Sequence, residues 1–159
     1  MLTIKTILHP TDFSPQAEFA FQLARALARD YGARLILQHV EVAPTAVYGE
    51  FGVFNLDPGD VHESLKEKLR RLEPADVAEV NSFLVRGDPA TEIAALARNY
   101  PCDVIVMGTH GRSGLGRLLM GSVAEDVVRN APCPVVTVKA PLAQANQGME
   151  AAVQAAPVS

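Results

Sequence analysis

The sequence predicts an α/β fold, one doubly wound domain in which a parallel sheet is covered by helices on both faces. Three observations carry that expectation. Strand-like runs and helix-like periods alternate from the first residues to about residue 139, the pattern of successive strand-helix units. Two helical stretches open on a capping residue followed by proline, at Ser14-Pro15 and at Asp88-Pro89, while the apolar runs between helices are of strand length. The chain has 159 residues, 48% of them hydrophobic, enough to fill one core of ordinary size without disulfides or a structural metal.

Taken in order, the first strand is expected over Thr3 to Leu8. Ser14 then caps a helix whose apolar residues Ala17, Ala20, Phe21, Ala24, Leu27, Ala28 and Tyr31 recur at steps of three and four until Gly32 closes it. Arg34 to Val40 forms the second strand. Glu41 to Gly59 lacks a helical period, is punctuated by glycine and proline, and reads as a long loop carrying Tyr48, Phe51 and Phe54. It is expected either to close over a ligand, to face a partner or to pack on its own domain. A second helix over about Asp60 to Leu72 sets Val61, Leu65, Leu69 and Leu72 on one stripe. The third strand, Val77 to Val85, is polar at Glu79, Asn81 and Ser82, so it belongs at a sheet edge.

A third helix through Ile93, Ala94, Leu96, Ala97 and Tyr100 stops before Pro101, and Asp103 to Met107 is a nearly all-apolar strand. A glycine-rich segment from Gly108 to Gly121 leads into a helix over Ser122 to Asn130, with Val123, Val127 and Val128 as its apolar face and Pro132 after it. The last strand, Val135 to Val138, is apolar on every side yet closes the sheet, so as an edge it calls for a second copy of the chain and points to a homodimer. Residues 140–159, rich in Ala, Gln and Pro, read as a loosely ordered tail behind a domain of residues 1–139.

Composition narrows the function. Lys and Arg number 14 against 18 Asp and Glu, for a net charge of -4, and no segment clusters the basic residues that neutralise a phosphate backbone, which argues against a nucleic-acid partner. No apolar run approaches the ~18 residues of a membrane span. The opening MLTIKTILHP lacks the pattern of a secretion signal, so the expectation is a cytoplasmic protein without a membrane partner. Cys102 and Cys133 have no CxxC partner and each adjoins a proline at the entrance to an apolar run, so both read as buried thiols. His9, His39 and His110 fall near strand ends, yet nothing fixes a mutual geometry for a metal, and His39 and Val40 point to opposite faces. His62 reads as a surface residue.

The informative stretch is Gly108-Thr109-His110-Gly111, then nine residues, then Gly121-Ser122 at the start of a helix. In open α/β sheets the ligand crevice lies at the carboxyl ends of the strands, where glycines let backbone N–H groups approach a phosphate. The first N–H groups of the following helix add a positive dipole end, and the Ser122 hydroxyl adds a donor. It is not a Walker A loop, because Arg117 and Leu118 follow Gly116 where Lys and Ser or Thr are required. A dinucleotide fingerprint is also excluded, since Gly114 and Gly116 lack the third glycine.

The Pro10-Thr11-Asp12-Phe13-Ser14 turn, the Gly-x2-Gly-x9-Gly-Ser loop and the closing Cys133-Pro134-Val135-Val136 strand together resemble the universal stress protein family over about residues 2 to 139. The resemblance implies a five-stranded parallel sheet of order 3-2-1-4-5, homodimers paired through Val135 to Val138, and, because the glycine pattern is complete, the branch of the family that binds ATP. By matching positions it implies Asp12 on the ribose or adenine side of the nucleotide, with Pro10 and Thr11 shaping that wall. Val40 would meet adenine through its backbone, Met107 and Gly108 would line the central part, and Gly111, Gly121, Ser122 and Val123 would hold the phosphates. Arg112 and Arg117 are candidates for outer phosphate contacts. Only fragments are visible of the set that rapid phosphoryl transfer needs. The expected function is therefore a stress-response or signalling module that binds ATP, with Mg bridging the phosphates largely through water and with slow or no hydrolysis. Two readings stay open beside it: a dimeric interaction or chaperone-like protein with a structural glycine loop, and a slow ATPase or phosphotransfer enzyme.

Overall fold

A computed structural model describes residues 3–42, 58–109 and 120–139. The elements follow one another as β1 (Thr6–Pro10), α1 (Pro15–Tyr31), β2 (Arg34–Glu41), α2 (Pro58–Arg71), β3 (Val80–Arg86), α3 (Pro89–Asn99), β4 (Val104–Gly108), α4 (Ser122–Asn130) and β5 (Val135–Val138). Every strand pair is parallel and the sheet order is β3-β2-β1-β4-β5, as expected. Side-chain alternation divides the core in two. Ile7, Leu35, Leu37, Val104 and Val106 meet α1 and α2 on one face, while Leu8, Ile36, Ile105 and Met107 meet α3 and α4 on the other. The inner strands are thus apolar on both sides because both sides are covered.

Several boundaries differ from the sequence expectation for local reasons. β1 starts at Thr6, because the Asp103 carboxylate accepts the Lys5 and Thr6 N–H groups at 2.7 and 2.9 Å in place of a strand partner. Val77 is buried under α1 and α2 before β3 begins at Val80, so its apolar character serves the core and not the ladder. β3 is the sheet edge foreseen from its polar residues. Tyr31 is exposed at the end of α1. On α4 only Val127 of the three expected apolar residues is buried, with Ala124 beside it, while Val123 and Val128 face out.

His62 is partly exposed on α2, in keeping with its surface reading, and it is also bonded. Its Nδ1 lies 3.0 Å from Glu41 Oε2, and the same carboxylate accepts from Arg86 Nε at 3.0 Å, so one acid joins α2, β2 and β3. The Arg86 guanidinium, with His62 beside it, holds the Glu41 carboxyl below its usual range. At the two ends of the loop expected over Glu41 to Gly59, Glu41 belongs to β2 and Pro58 opens α2; the rest of it from residue 43 to 57, with Tyr48, Phe51 and Phe54, lies outside the described residues, as does the expected tail.

The start of α1 is fixed as the sequence suggests. Ser14 Oγ accepts the Ala17 N–H at 3.1 Å and Pro15 occupies the first turn, while Gly32 ends the helix at φ 61 and the Ala33 N–H returns to Ala28 O at 2.8 Å. Ser14→Ala is expected to lower stability by about 1 kcal/mol, and Ser14→Gly by only a few tenths. Urea midpoints at constant slope check this, and equal losses in both variants would show that the cap bond is not what holds the helix start.

Candidate functional site

The site is assembled at the carboxyl end of the sheet, where β1 and β4 are neighbours but their outgoing connections part to opposite faces. The chain leaves β1 through a turn whose bonds are short and successive. Thr11 N–H donates to Gln38 O at 2.8 Å, Thr11 Oγ1 accepts the Phe13 N–H at 3.0 Å, and Asp12 Oδ1 accepts the Ser14 N–H at 3.0 Å. Phe13 takes φ 61, the only non-glycine in that region among the described residues. A side chain there costs on the order of 1 kcal/mol. The His39 ring offsets that cost, with its centroid 4.6 Å from the Phe13 ring and its Nδ1–H donating to Thr11 O at 2.7 Å. His39 therefore braces the turn that presents Asp12.

Backbone alternation places Val40. Arg34 N–H bonds Lys5 O just ahead of β1 and Leu35 N–H bonds Glu79 O ahead of β3, so the main-chain groups of even-numbered residues of β2 face β1. Gln38 is the last residue of β2 in register with β1, opposite Pro10. The main-chain N–H and C=O of Val40 thus face the gap beyond the end of β1, while its side chain packs on the α3/α4 core.

The opposite wall is the end of β4. The Met107 side chain is buried in the α3/α4 core. Gly108 is required by packing: a Cβ there would stand 3.2 Å from both C and O of Gln16, the backbone of the first turn of α1. Thr109 N–H donates to Val138 O at 3.1 Å, and Gly121 N–H donates to Thr109 O at 2.8 Å. The Gly121 N–H is thus engaged within the protein, and Ser122 is the first residue of α4 beyond it. Gly121 caps α4 with no side-chain cap bond among the described residues, and Ser122 and Val123 are exposed. Gly111 and Arg112, with His110 and Arg117, lie outside the described residues.

Between the two walls lies His9, which the sequence flagged only as one of several histidines. Regular pairing of β1 with β4 ends at Leu8↔Ile105, and the His9 imidazole fills the split beyond, its Nδ1–H donating to Val106 O at 2.8 Å. Burial pushes its pKa down to about 4, against opposing contributions from the Val106 bond and Asp12. The ring is neutral at ordinary pH, and Nε2 is buried with no hydrogen-bond partner among the described residues. No group of three His, Cys, Asp or Glu among the described residues is arranged to hold a metal. His9 and His39 each serve a main-chain carbonyl instead.

A parallel sheet that divides its helices between two faces, with a crevice where β1 and β4 part and a helix N-terminus on one rim, places the chain among the doubly wound α/β proteins whose ligands lie at strand carboxyl ends. Within that class, the chain belongs to the universal stress protein family, whose family model matches residues 3–139. Universal stress protein MJ0531 of Methanocaldococcus jannaschii is 35% identical over 145 residues, 86% of this chain and 83% of that protein. The solved structure of protein MJ0577 from the same organism has a TM-score of 0.73 and 29% identity, covering 88% of this chain and 99% of its own. The universal stress protein from Archaeoglobus fulgidus in complex with dAMP has a TM-score of 0.59 and 25% identity, covering 87% of this chain and 100% of its own. Among the described residues no helix is long and apolar enough to cross a membrane.

Proposed function

We propose that the protein binds an adenine nucleotide, ATP foremost, in the crevice at the ends of β1, β2 and β4, and acts as a nucleotide-dependent stress-response or signalling module with slow or no hydrolysis. The observation that carries this reading is convergence: the Asp12 turn, the main chain of Val40, Gly108 and the first turn of α4 all come to one end of the sheet. The dAMP complex of the Archaeoglobus relative supports the choice of ligand. In this reading Asp12, with Pro10 and Thr11, faces the nucleoside, and Ser122 and Val123 offer N–H groups to the phosphates beside Gly111 and Arg112. Mg, in this reading, is carried by the phosphates and water. A second copy of the chain would cover β5, where Val136 is 38% exposed on a sheet edge. The cytoplasm is the proposed location.

Heat release and chromatography of the purified protein, followed by calorimetric titration with ATP, test the reading. One equivalent of nucleotide is expected, with affinity falling roughly 10- to 100-fold in Asp12→Ala, the range for losing a charged hydrogen-bond partner. A folded wild type that neither carries nor binds nucleotide sinks the proposal. Sedimentation of the same samples would then test the interaction reading that the exposed edge of β5 favours.

A further inference from the structure

The end of the sheet opposite the crevice holds two thiols side by side. Cys102 lies between α3 and β4, and Cys133 lies between α4 and β5. These junctions are held together: Arg98 Nη2 near the end of α3 donates to the carbonyl of Asn130, the last residue of α4, at 3.0 Å, and Ile105 N–H donates to Pro134 O at 3.0 Å. Continued two residues back from Ile105↔Val135, the first pair of the register, an ideal ladder would set Asp103 level with Cys133 and Cys102 one residue off level. With a strand spacing of about 4.8 Å and a rise of about 3.3 Å per residue, the Cα atoms of such a pair would be about 6 Å apart in that ladder. Disulfides span about 4.4–6.8 Å.

Strand alternation alone would turn Cys102 to the α1/α2 face, away from Cys133. The bend that leads into β4 overrides it. Cys102 N–H donates to Ala97 O at 3.2 Å, and its thiol donates to Tyr100 O at 2.8 Å, which sets the side chain into the α3/α4 core. Cys133, half-buried and not fully buried as its sequence suggested, packs against that same core. Burial first, and then the proximity of Cys133, pushes the Cys102 thiol up to about 12.

We propose that Cys102 and Cys133 are a redox modification site that closes as a reversible intramolecular disulfide, with a low-molecular-weight disulfide such as oxidised glutathione as the oxidant. The Cys133 thiolate attacks one sulfur of the oxidant, and the departing glutathione thiolate takes up a proton. Cys102 then gives up its proton and displaces the second glutathione from the mixed disulfide. Two protein thiols and one glutathione disulfide thus become one protein disulfide and two glutathione thiols. Both thiols are held above their usual range by burial, so closure is slow and answers sustained oxidation. The closed loop runs from Cys102 to Cys133 and encloses β4, the glycine-rich segment and α4. The bond therefore fastens the base of the unit whose far end forms one wall of the crevice.

The full chain is equilibrated in reduced or oxidised glutathione, quenched in acid, alkylated under denaturing conditions and weighed intact. Both thiols are expected to be lost together, with the loss of two hydrogens, no added glutathione and no covalent dimer, and with a melting temperature higher by roughly 10 °C. Cys133→Ser and Cys102→Ala should each abolish the shift; Cys133 is half-buried, so its variant keeps the test valid if the buried position does not tolerate change. Two alkylatable thiols after equilibration in oxidised glutathione, or only mixed disulfides and covalent dimers, would overturn the proposal.

Discussion

Acidification from pH 6.5 towards 4 is expected to remove about 3 kcal/mol of stability through His9 alone, the free-energy equivalent of its pKa displacement. The folded protein keeps this buried imidazole neutral down to about 4, whereas the unfolded chain takes up the proton from about 6.5. Across that interval the unfolded state binds more protons, so stability falls as pH falls. Below the interval both states are protonated and the loss levels off. Carboxyls that partners hold low, such as Glu41, act in a lower window: their contribution is full above the unfolded value of 4.5 and is lost as pH falls through the folded one. Urea unfolding at steps between pH 7 and 4 reads the slope, and His9→Asn, which retains a donor for Val106 O, should be less stable at pH 7 but flatter between 6.5 and 5. An unchanged slope in that variant would assign the acid sensitivity elsewhere.

The second large effect is expected at Gly108. A Cβ at this position meets the C and O of Gln16 at 3.2 Å, and backbone cannot swing aside as a long side chain would. Alanine asks for a displacement of a few tenths of an ångström. Valine adds two further carbons and must drive the first turn of α1 away from the end of β4, at a cost of about 1–3 kcal/mol. The same displacement moves the Ser14 cap and the Asp12 turn, so Gly108→Val should lose nucleotide affinity at least tenfold while Gly108→Ala loses less. Denaturant midpoints and ATP titrations on both variants check the order. Equal stability of valine and wild type would mean that the close approach is absent. Weakened folding with unchanged affinity would separate the glycine from the ligand.

Much of the fold could be read directly, for reasons that particular residues show. Ser14 and Pro15, Gly32, and Asp88 and Pro89 act within a few residues of themselves, so helix limits follow from local chemistry. The polar run Asn81 and Ser82 marks an edge because only an edge leaves such residues hydrated. Effects that join distant parts of the chain were hidden. Asp103 takes up Lys5 and Thr6, Val77 plugs a core away from its strand, and the thiols of Cys102 and Cys133 are brought to one side by a bend. At the site, the Asp12 turn and Gly108 stood out by residue type. The brace of His39 on Phe13 did not, because a left-handed phenylalanine has no sequence signature. His9 gave a faint one, a histidine closing an apolar strand.

The bond between Glu41 and His62 bears on how this chain can change over time. Residues 42–61 begin and end at positions that β2 and α2 fix through that pair, with Arg86 as a second anchor. Their two ends are held together by the scaffold, whatever lies between. Each doubling in length of such a span costs only about 0.6 kcal/mol. Insertion, deletion and exchange of sequence between Val42 and Pro58 are therefore expected to be nearly neutral for the sheet, while the rest of the fold stays under constraint.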